Sequence, residues 1–261
     1  MELRPLGATG LKVSPLGLGT VKFGRNQGVK YPHPFELPSD REALALLDLA
    51  WDLGINLLDT APAYGDSEER LGRLLRQNRR DWVIVTKVGE EFHDGVSRFD
   101  FSAAATRASV ERSLRRLGVE ALDAVLIHSS GDDLAILERE DVLPTLLALK
   151  QAGWVRAVGM SSKTVAGGLR AVAACDLVMV TYNPSQREEW PVIHAAHAAD
   201  RGILIKKGLL SGHLDGPASP DPARAALELI YAEPGISSVV IGTLNPAHLQ
   251  ANAAVATELT A

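Results

Sequence analysis

Eight short apolar runs, alternating with stretches of helical periodicity, constrain this chain more than any other feature. The runs are residues 13–18, 55–58, 83–86, 124–127, 157–160, 177–181, 203–205 and 238–241. Most are rich in Val, Ile and Leu and lack polar alternation. Strands buried on both faces of a parallel sheet have this pattern. Between them, Ser39–Asp40–Arg41–Glu42 forms a capping box, with Leu44, Leu47 and Trp51 following at helical spacing. Asp66 with Glu69 starts a second helix. Residues 102–117, 141–152, 164–174, 186–200, 222–232 and 246–257 supply the others. Gly54, Gly118, Gly153 and Gly202 each stand between a helix and the next strand, where helix-ending glycines occur. Residues 25–38 and 214–221 are Pro/Gly-rich and read as surface loops. Strict strand–helix alternation implies a parallel sheet with right-handed crossovers. A closed (β/α)8 barrel and a doubly wound open sheet fit it equally well. The 261 residues suit one barrel of about 250 with little left over, so residues 1–261 are read as a single domain.

Composition narrows the function classes. The formal net charge is −5 and no basic block occurs, so nucleic acid has no electrostatic footprint here. Cys175 is the only cysteine, which excludes an intramolecular disulfide and a cysteine-based metal site. The opening MELRPLGATG lacks the apolar region of a signal peptide, and no apolar run is long enough for a bilayer. A cytoplasmic protein with no membrane contact is expected. His194 and His197 are three apart on one helix face. Without a carboxylate motif beside them, a solvated face is the better reading, and no metal is expected.

Polar residues recur just past the apolar runs. Asp59 ends INLLD, Tyr64 follows in the loop TAPAYG, Lys87 ends VIVTK, and His128 ends AVLIH. Taken singly, each has a bland reading: a cap, a packing aromatic, a snorkelling lysine, a buried histidine. In a barrel, all four converge on the rim where barrel active sites sit. The set suits carbonyl reduction. Hydride addition leaves an alkoxide that needs a proton, and a phenol can give it if its pKa of about 10 is brought down. An ammonium beside the phenol favours the phenolate, so Lys87 is expected to lower the Tyr64 pKa. Asp59 then holds Lys87, and His128 hydrogen-bonds the carbonyl oxygen.

These motifs give the chain an end-to-end resemblance to the aldo-keto reductase family. LGATGLKVSPLGLGT is similar to the family's N-terminal hairpin and first strand. INLLDTAPAYG resembles its Asp-and-Tyr motif, VIVTKVG its Lys strand and LDAVLIHSS its His strand. WVRAVGMSS is similar to the strand that carries nicotinamide ligands. VVIGTLNPAHLQAN is similar to the strand and helix at the cofactor's adenine end. The resemblance implies a (β/α)8 TIM barrel with a short N-terminal β-hairpin, in which Asp59, Tyr64, Lys87 and His128 are the catalytic tetrad. It implies a cofactor site built from Gly19, Thr20, Asp59, Ser161, Ser162, Lys206, Lys207, Gly208, Leu209, Gly242, Thr243, His248 and Asn252. Gly17-x-Gly19 with Gly24 lacks the spacing of a dinucleotide fingerprint and no helical pattern opens there, so a Rossmann domain is rejected. No Tyr-x-x-x-Lys pair occurs, which argues against a short-chain dehydrogenase.

The chain departs from the family at several cofactor positions. Ser162 stands where Asn is common and, with Ser161, can still hydrogen-bond the carboxamide, but Met179, where Gln is usual, offers almost nothing. Lys206 stands where an aromatic ring often stacks on the nicotinamide. Its ammonium is expected to disfavour the oxidised cofactor. No Lys or Arg stands at Gly242 or His248, where NADP-preferring relatives carry one, and Ala251 replaces a common acid. NADPH is the first expectation, with NADH as an alternative. The chain ends straight after the last helix and the segment at 214–222 is short, which predicts a shallow, open substrate site. Tyr31, His33 and Phe35, with Phe92, Phe99 and Phe101, offer aromatic walls for it. Reduction of an aldehyde or ketone with Tyr64 as general acid is the expected function, on a small-molecule carbonyl substrate. The alternative is a non-catalytic cofactor-binding protein with a regulatory or redox-sensing role.

Overall fold

The computed structural model describes residues 1–77, 80–213 and 220–261. An antiparallel pair opens the chain, β1 (Arg4–Pro5) with β2 (Lys12–Val13). Next come β3 (Leu16–Gly19), a one-turn helix α1 (Val21–Gly24) and α2 (Asp40–Asp52). Then follow β4 (Leu57–Asp59), α3 (Ser67–Gln77) and β5 (Val83–Val88). A hairpin of β6 (Glu90–His93) and β7 (Val96–Phe99) interrupts the alternation before α4 (Ala103–Leu117). The order resumes with β8 (Leu122–His128), α5 (Asp133–Arg139), α6 (Val142–Gln151), β9 (Val155–Ser161) and α7 (Val165–Ala174). It ends with β10 (Leu177–Thr181), α8 (Trp190–Ala198), β11 (Gly202–Lys206), α9 (Pro222–Tyr231), β12 (Ser238–Ile241) and α10 (Pro246–Leu259).

Eight of these strands, β3, β4, β5, β8, β9, β10, β11 and β12, close into a parallel barrel. Closure is made by β12 against β3, with Val239 opposite Leu16 and Ile241 opposite Leu18. The open-sheet alternative is thereby excluded. Alternate residues point to opposite faces of each strand. Leu57, Val85, Leu126, Ala157, Met179 and Leu204 fill the interior, with Leu6 and Val13 of the hairpin packed against them. A Cβ on Gly202, at the N-terminal end of β11, would lie 2.8 Å from Leu6 Cδ1, so the hairpin plugs the bottom of the barrel. The intervening residues, such as Leu58, Ile84, Val125, Val158, Val178 and Ile205, meet the helices in a second buried layer. Each large side chain fully buried in these layers contributes about 1.5–3 kcal/mol.

Several local expectations change. The run 13–18 is split, because Pro15 has no N–H for a ladder, so β2 ends at Val13 and the barrel strand begins at Leu16. A helical turn does follow Gly19, formed by Val21–Gly24. Residues 186–189 are not helical. The Asn183 side chain accepts from the backbone of Ser185 and Gln186 to close a turn, and α8 starts at Trp190. Gly54, Gly118 and Gly153 take positive φ as expected, but Gly202 does not; Asp200 takes it there, at 52°. Gly202 is instead a strand residue crowded by Leu6 and Leu177. Of the loop at 214–221, residues 214–219 lie outside the described residues.

Candidate active site

The alternation that fills the barrel also places the polar residues, one inward step beyond the apolar layer. Leu57 leads to Asp59, Val85 to Lys87 and Leu126 to His128. In the same way Ala157 leads by two such steps to Ser161, and Leu204 leads to Lys206. All five line one cavity of about 1280 Å³ at the C-terminal ends of the strands, together with Tyr64.

Tyr64 reaches the cavity from a 3-10 turn, Pro62–Tyr64. The turn is anchored by close backbone contact. A Cβ on Gly65 would lie 2.1 Å from Gly24 O, and Gly65 has φ +60. Only glycine permits that approach in that conformation. Behind it, three hydroxyls knit the strand ends to α3. Ser67 Oγ donates to Thr20 O at 2.9 Å, Thr60 Oγ1 donates to Ser67 Oγ at 3.1 Å, and Thr20 Oγ1 donates to Asp59 O at 3.0 Å.

Asp59 and Lys87 are nearly fully buried and form an ion pair at 2.6 Å, and Lys87 Nζ also donates to Thr60 O at 2.8 Å. The Tyr64 hydroxyl lies 3.5 Å from Asp59 Oδ2, a long contact, while Lys87 Nζ lies 4.7 Å from the centre of the Tyr64 ring. The expected lowering of the Tyr64 pKa by Lys87 is therefore not what this arrangement gives. Burial, followed by the carboxylates of Asp59 and Glu90, pushes the phenol well above its usual value. Tyr64 is a protonated phenol at neutral pH. His128 stands edge-on to Tyr64, with ring centres 6.2 Å apart.

Most of the expected cofactor positions line the same cavity. They are Gly19, Asp59, Ser161, Lys206, Lys207, Gly208, Leu209, Gly242, Thr243, His248 and Asn252. Two do not reach it. Thr20 is fully buried with its hydroxyl committed to Asp59 O and Ser67, and the Ser162 hydroxyl donates to Glu189 Oε1 at 2.7 Å. Met179 packs in the barrel interior. Lys206 Nζ turns to Ser161 Oγ at 2.8 Å and to Ser162 O at 2.5 Å. Burial, partly offset by Glu189, brings its pKa down to about 8.

The cavity suits an extended anion. Lys22, Lys30, Lys163, Lys206 and Lys207 line it, against Asp59, Glu188, Glu189 and Asp221. The Lys207 pKa is lowered by burial and then by Lys30 and Lys163, with Glu189 partly offsetting them. The roof is less open than the short chain suggests. The 25–38 loop reaches across, with His213 Nε2 3.2 Å from Lys30 O and the Tyr31 hydroxyl 2.9 Å from where a Cβ on Gly242 would sit.

Sequence reading missed two acidic residues here. Glu90, on β6, places Oε2 2.8 Å from His128 Nδ1. Glu189 accepts from Ser162 Oγ and from Thr181 N at 2.7 Å. Both sit among charged residues, EEF and REEW, that read as solvated surface. His194 keeps the expected solvent-accessible face and also pairs with Glu233 at 2.9 Å and packs on Trp190 with ring centres 4.0 Å apart. Among the described residues, no helix is long and apolar enough to cross a membrane.

The model of the aldo/keto reductase family matches residues 15–220. L-galactose dehydrogenase of Arabidopsis thaliana is 29% identical, covering 99% of this chain and 89% of that protein. D-threo-aldose 1-dehydrogenase of a Pseudomonas species is 30% identical, covering 94% and 90%. A crystal structure of a Pseudomonas aeruginosa protein assigned to the aldo-keto reductases superposes with a TM-score of 0.90 at 56% identity, covering 99% of this chain and 96% of that one. The holo form of an aldo-keto reductase from Bacillus halodurans shares the fold, with a TM-score of 0.80 at 24% identity, over 98% of this chain and 90% of that one.

Proposed function

Given that this chain belongs to the aldo/keto reductase family, an oxidoreductase family acting on small carbonyl compounds, we propose that it reduces an aldehyde or ketone with NAD(P)H. One observation carries the reading: Asp59, Tyr64, Lys87 and His128 line a single cavity that also holds five lysines and is large enough for a dinucleotide. NADPH is the proposed cofactor and NADH the alternative. One relative, from Escherichia coli, is named an NADH-specific methylglyoxal reductase, and other relatives are named for sugars. Aldoses and small aldehydes are accordingly the first substrates to test.

A bound reduced nicotinamide supplies the hydride. Lys207, Gly208, Leu209, Gly242 and Asn252 line the cavity; the first four would hold the cofactor's phosphates and Asn252 its adenine. The substrate oxygen fits between Tyr64 and His128. Tyr64, neutral because of its burial, gives that oxygen a proton as charge develops. The Lys87 ammonium, fixed by Asp59 and Thr60 O, stabilises the phenolate left behind. His128 holds the oxygen in place.

The test is Tyr64→Phe. Loss of the proton donor should lower kcat for reduction of an activated aldehyde by at least about 10²-fold, with cofactor dissociation constants nearly unchanged. A variant that keeps most of the wild-type kcat refutes the assignment.

A further inference from the structure

Glu90 has a defined place beside the reaction centre. The chain leaves β5 at Val88, turns at Gly89 with φ +97, and starts β6 with Glu90. The β6–β7 hairpin is fastened over the Tyr64 turn through Arg25. The Arg25 guanidinium lies 3.4 Å from the Phe92 ring centre, and Arg25 Nη1 donates to Ala63 O at 3.0 Å. Across the hairpin, Ser97 Oγ donates to Glu90 Oε1 at 2.6 Å. The other carboxylate oxygen is thereby held beside His128, with Oε2 2.8 Å from Nδ1.

That distance decides which ring nitrogen carries hydrogen. An unprotonated Nδ1 would set its lone pair against a carboxylate oxygen at 2.8 Å. Nδ1 therefore bears the proton, although the approach is bent and falls short of a linear hydrogen bond. Burial pushes the Glu90 carboxyl up, but His128, Ser97 and Arg25 together outweigh it and bring it down to about 2, so the carboxylate is ionised at working pH. A neutral imidazole has one N–H. With that N–H on Nδ1, the neutral ring presents a bare Nε2. Nε2 has no hydrogen bond among the described residues, and the ring lines the cavity. It becomes a donor only when the ring takes a second proton.

We propose that Glu90 is a positioning residue that fixes the His128 proton on Nδ1, so that only the imidazolium can donate to a substrate oxygen. Carbonyl reduction then draws on protonated His128, and the neutral ring offers the substrate oxygen no donor. This rests on the carbonyl-reductase reading above. The balance is simple. Hydride adds to the carbonyl carbon and the π pair moves to oxygen. Tyr64 gives that oxygen its proton, and water restores the Tyr64 proton after the alcohol leaves. Four groups face His128. Glu90 on β6 favours the imidazolium, while Lys87 on β5 and Lys206 on β11 oppose it, as burial does most strongly; the Tyr64 phenol stands edge-on and neutral.

The experiment is a pH profile of kcat/KM for reduction of an activated aromatic aldehyde, with NADPH, between about pH 5 and 9. Wild type should show a limb that falls as pH rises. Glu90→Gln removes the carboxylate, and the limb should move down by at least one pH unit, a tenfold change in the His128 proton affinity. Ser97→Ala leaves a carboxylate with one donor fewer, so its limb should move up. Ring ¹⁵N–¹H NMR should place the neutral His128 proton on Nδ1 in wild type. Limbs that coincide in all three proteins, or a wild-type proton on Nε2, overturn the proposal. If Tyr64→Phe retains activity, the carbonyl-reductase reading fails instead, and the NMR result still decides the Glu90–His128 pairing. Melting temperature and cofactor affinity of each variant report whether the fold is kept.

Discussion

The Asp59–Lys87 pair should be close to neutral for stability as a pair, and severely destabilising when halved. Both side chains are almost wholly withdrawn from water, and the nitrogen–oxygen distance is 2.6 Å. At an effective dielectric near 20, unit charges at that distance attract by about 6 kcal/mol. Desolvation costs several kcal/mol for each ion, so attraction and cost nearly cancel. Removing one partner leaves the other's desolvation without compensation. Lys87 would keep only Thr60 O at 2.8 Å, and Asp59 only the distant Tyr64 hydroxyl at 3.5 Å. Asp59→Leu and Lys87→Met should each cost about 3–5 kcal/mol.

The double variant should cost far less than the sum, because Leu and Met replace the pair with apolar volume. The coupling energy should exceed about 2 kcal/mol, well outside the 0.3–0.5 kcal/mol scatter of independent sites. Urea unfolding of the four proteins at pH 7, followed by circular dichroism, measures it. Stability is the right readout, since all three variants lose the proposed catalytic machinery and activity cannot rank them. Additive single effects would show that Asp59 and Lys87 are separately solvated, and the reasoning would fall.

Two further outcomes follow from the cofactor end of the cavity. Lys206→Met removes an ammonium whose pKa is about 8, so at pH 7 the variant should bind NADP⁺ about fivefold more tightly relative to NADPH. The difference should fade above pH 9, where wild-type Lys206 is itself neutral; fluorescence titration of both forms at the two pH values checks this, and a ratio unchanged at pH 7 refutes it. Preference for NADPH over NADH should stay below about 10³-fold, because Thr243 and His248 offer no fixed cation to a 2′-phosphate. Steady-state kinetics with both cofactors decides it.

The barrel and much of the cavity's polar lining were legible for one shared reason. Alternation fixes the side on which a strand residue emerges, and the last inward residue of a strand has the cavity beyond it. Asp59, Lys87, His128, Ser161 and Lys206 all occupy such positions; the strand ends alone pointed to Asp59, Lys87 and His128, and the family resemblance to Ser161 and Lys206. The reading failed where a side chain's environment depends on its neighbours in space. Lys87 near Tyr64 suggested a lowered phenol pKa. The order of effects reverses because the hydroxyl faces Asp59 and is buried. Ser162 looked like a carboxamide donor, but Glu189, twenty-seven residues on, claims its hydroxyl.

Glu90 failed to show for a different physical reason. It stands three residues after Lys87, beyond the end of β5, on a hairpin whose pairing is internal. No periodicity of the barrel extends to that hairpin. Its orientation is set by Gly89 at positive φ and by Arg25 stacking on Phe92, contacts that join segments more than sixty residues apart. The cost of fixing it there falls on the hairpin, not on the barrel. Phe99 and Val96 remain substantially exposed on that hairpin, so its own burial is thin. Groups that set reactivity can therefore be added or altered on such an insertion with little effect on the closed sheet. Barrel strands supply the fixed polar ring, and the segments between them adjust the charge each member of the ring carries.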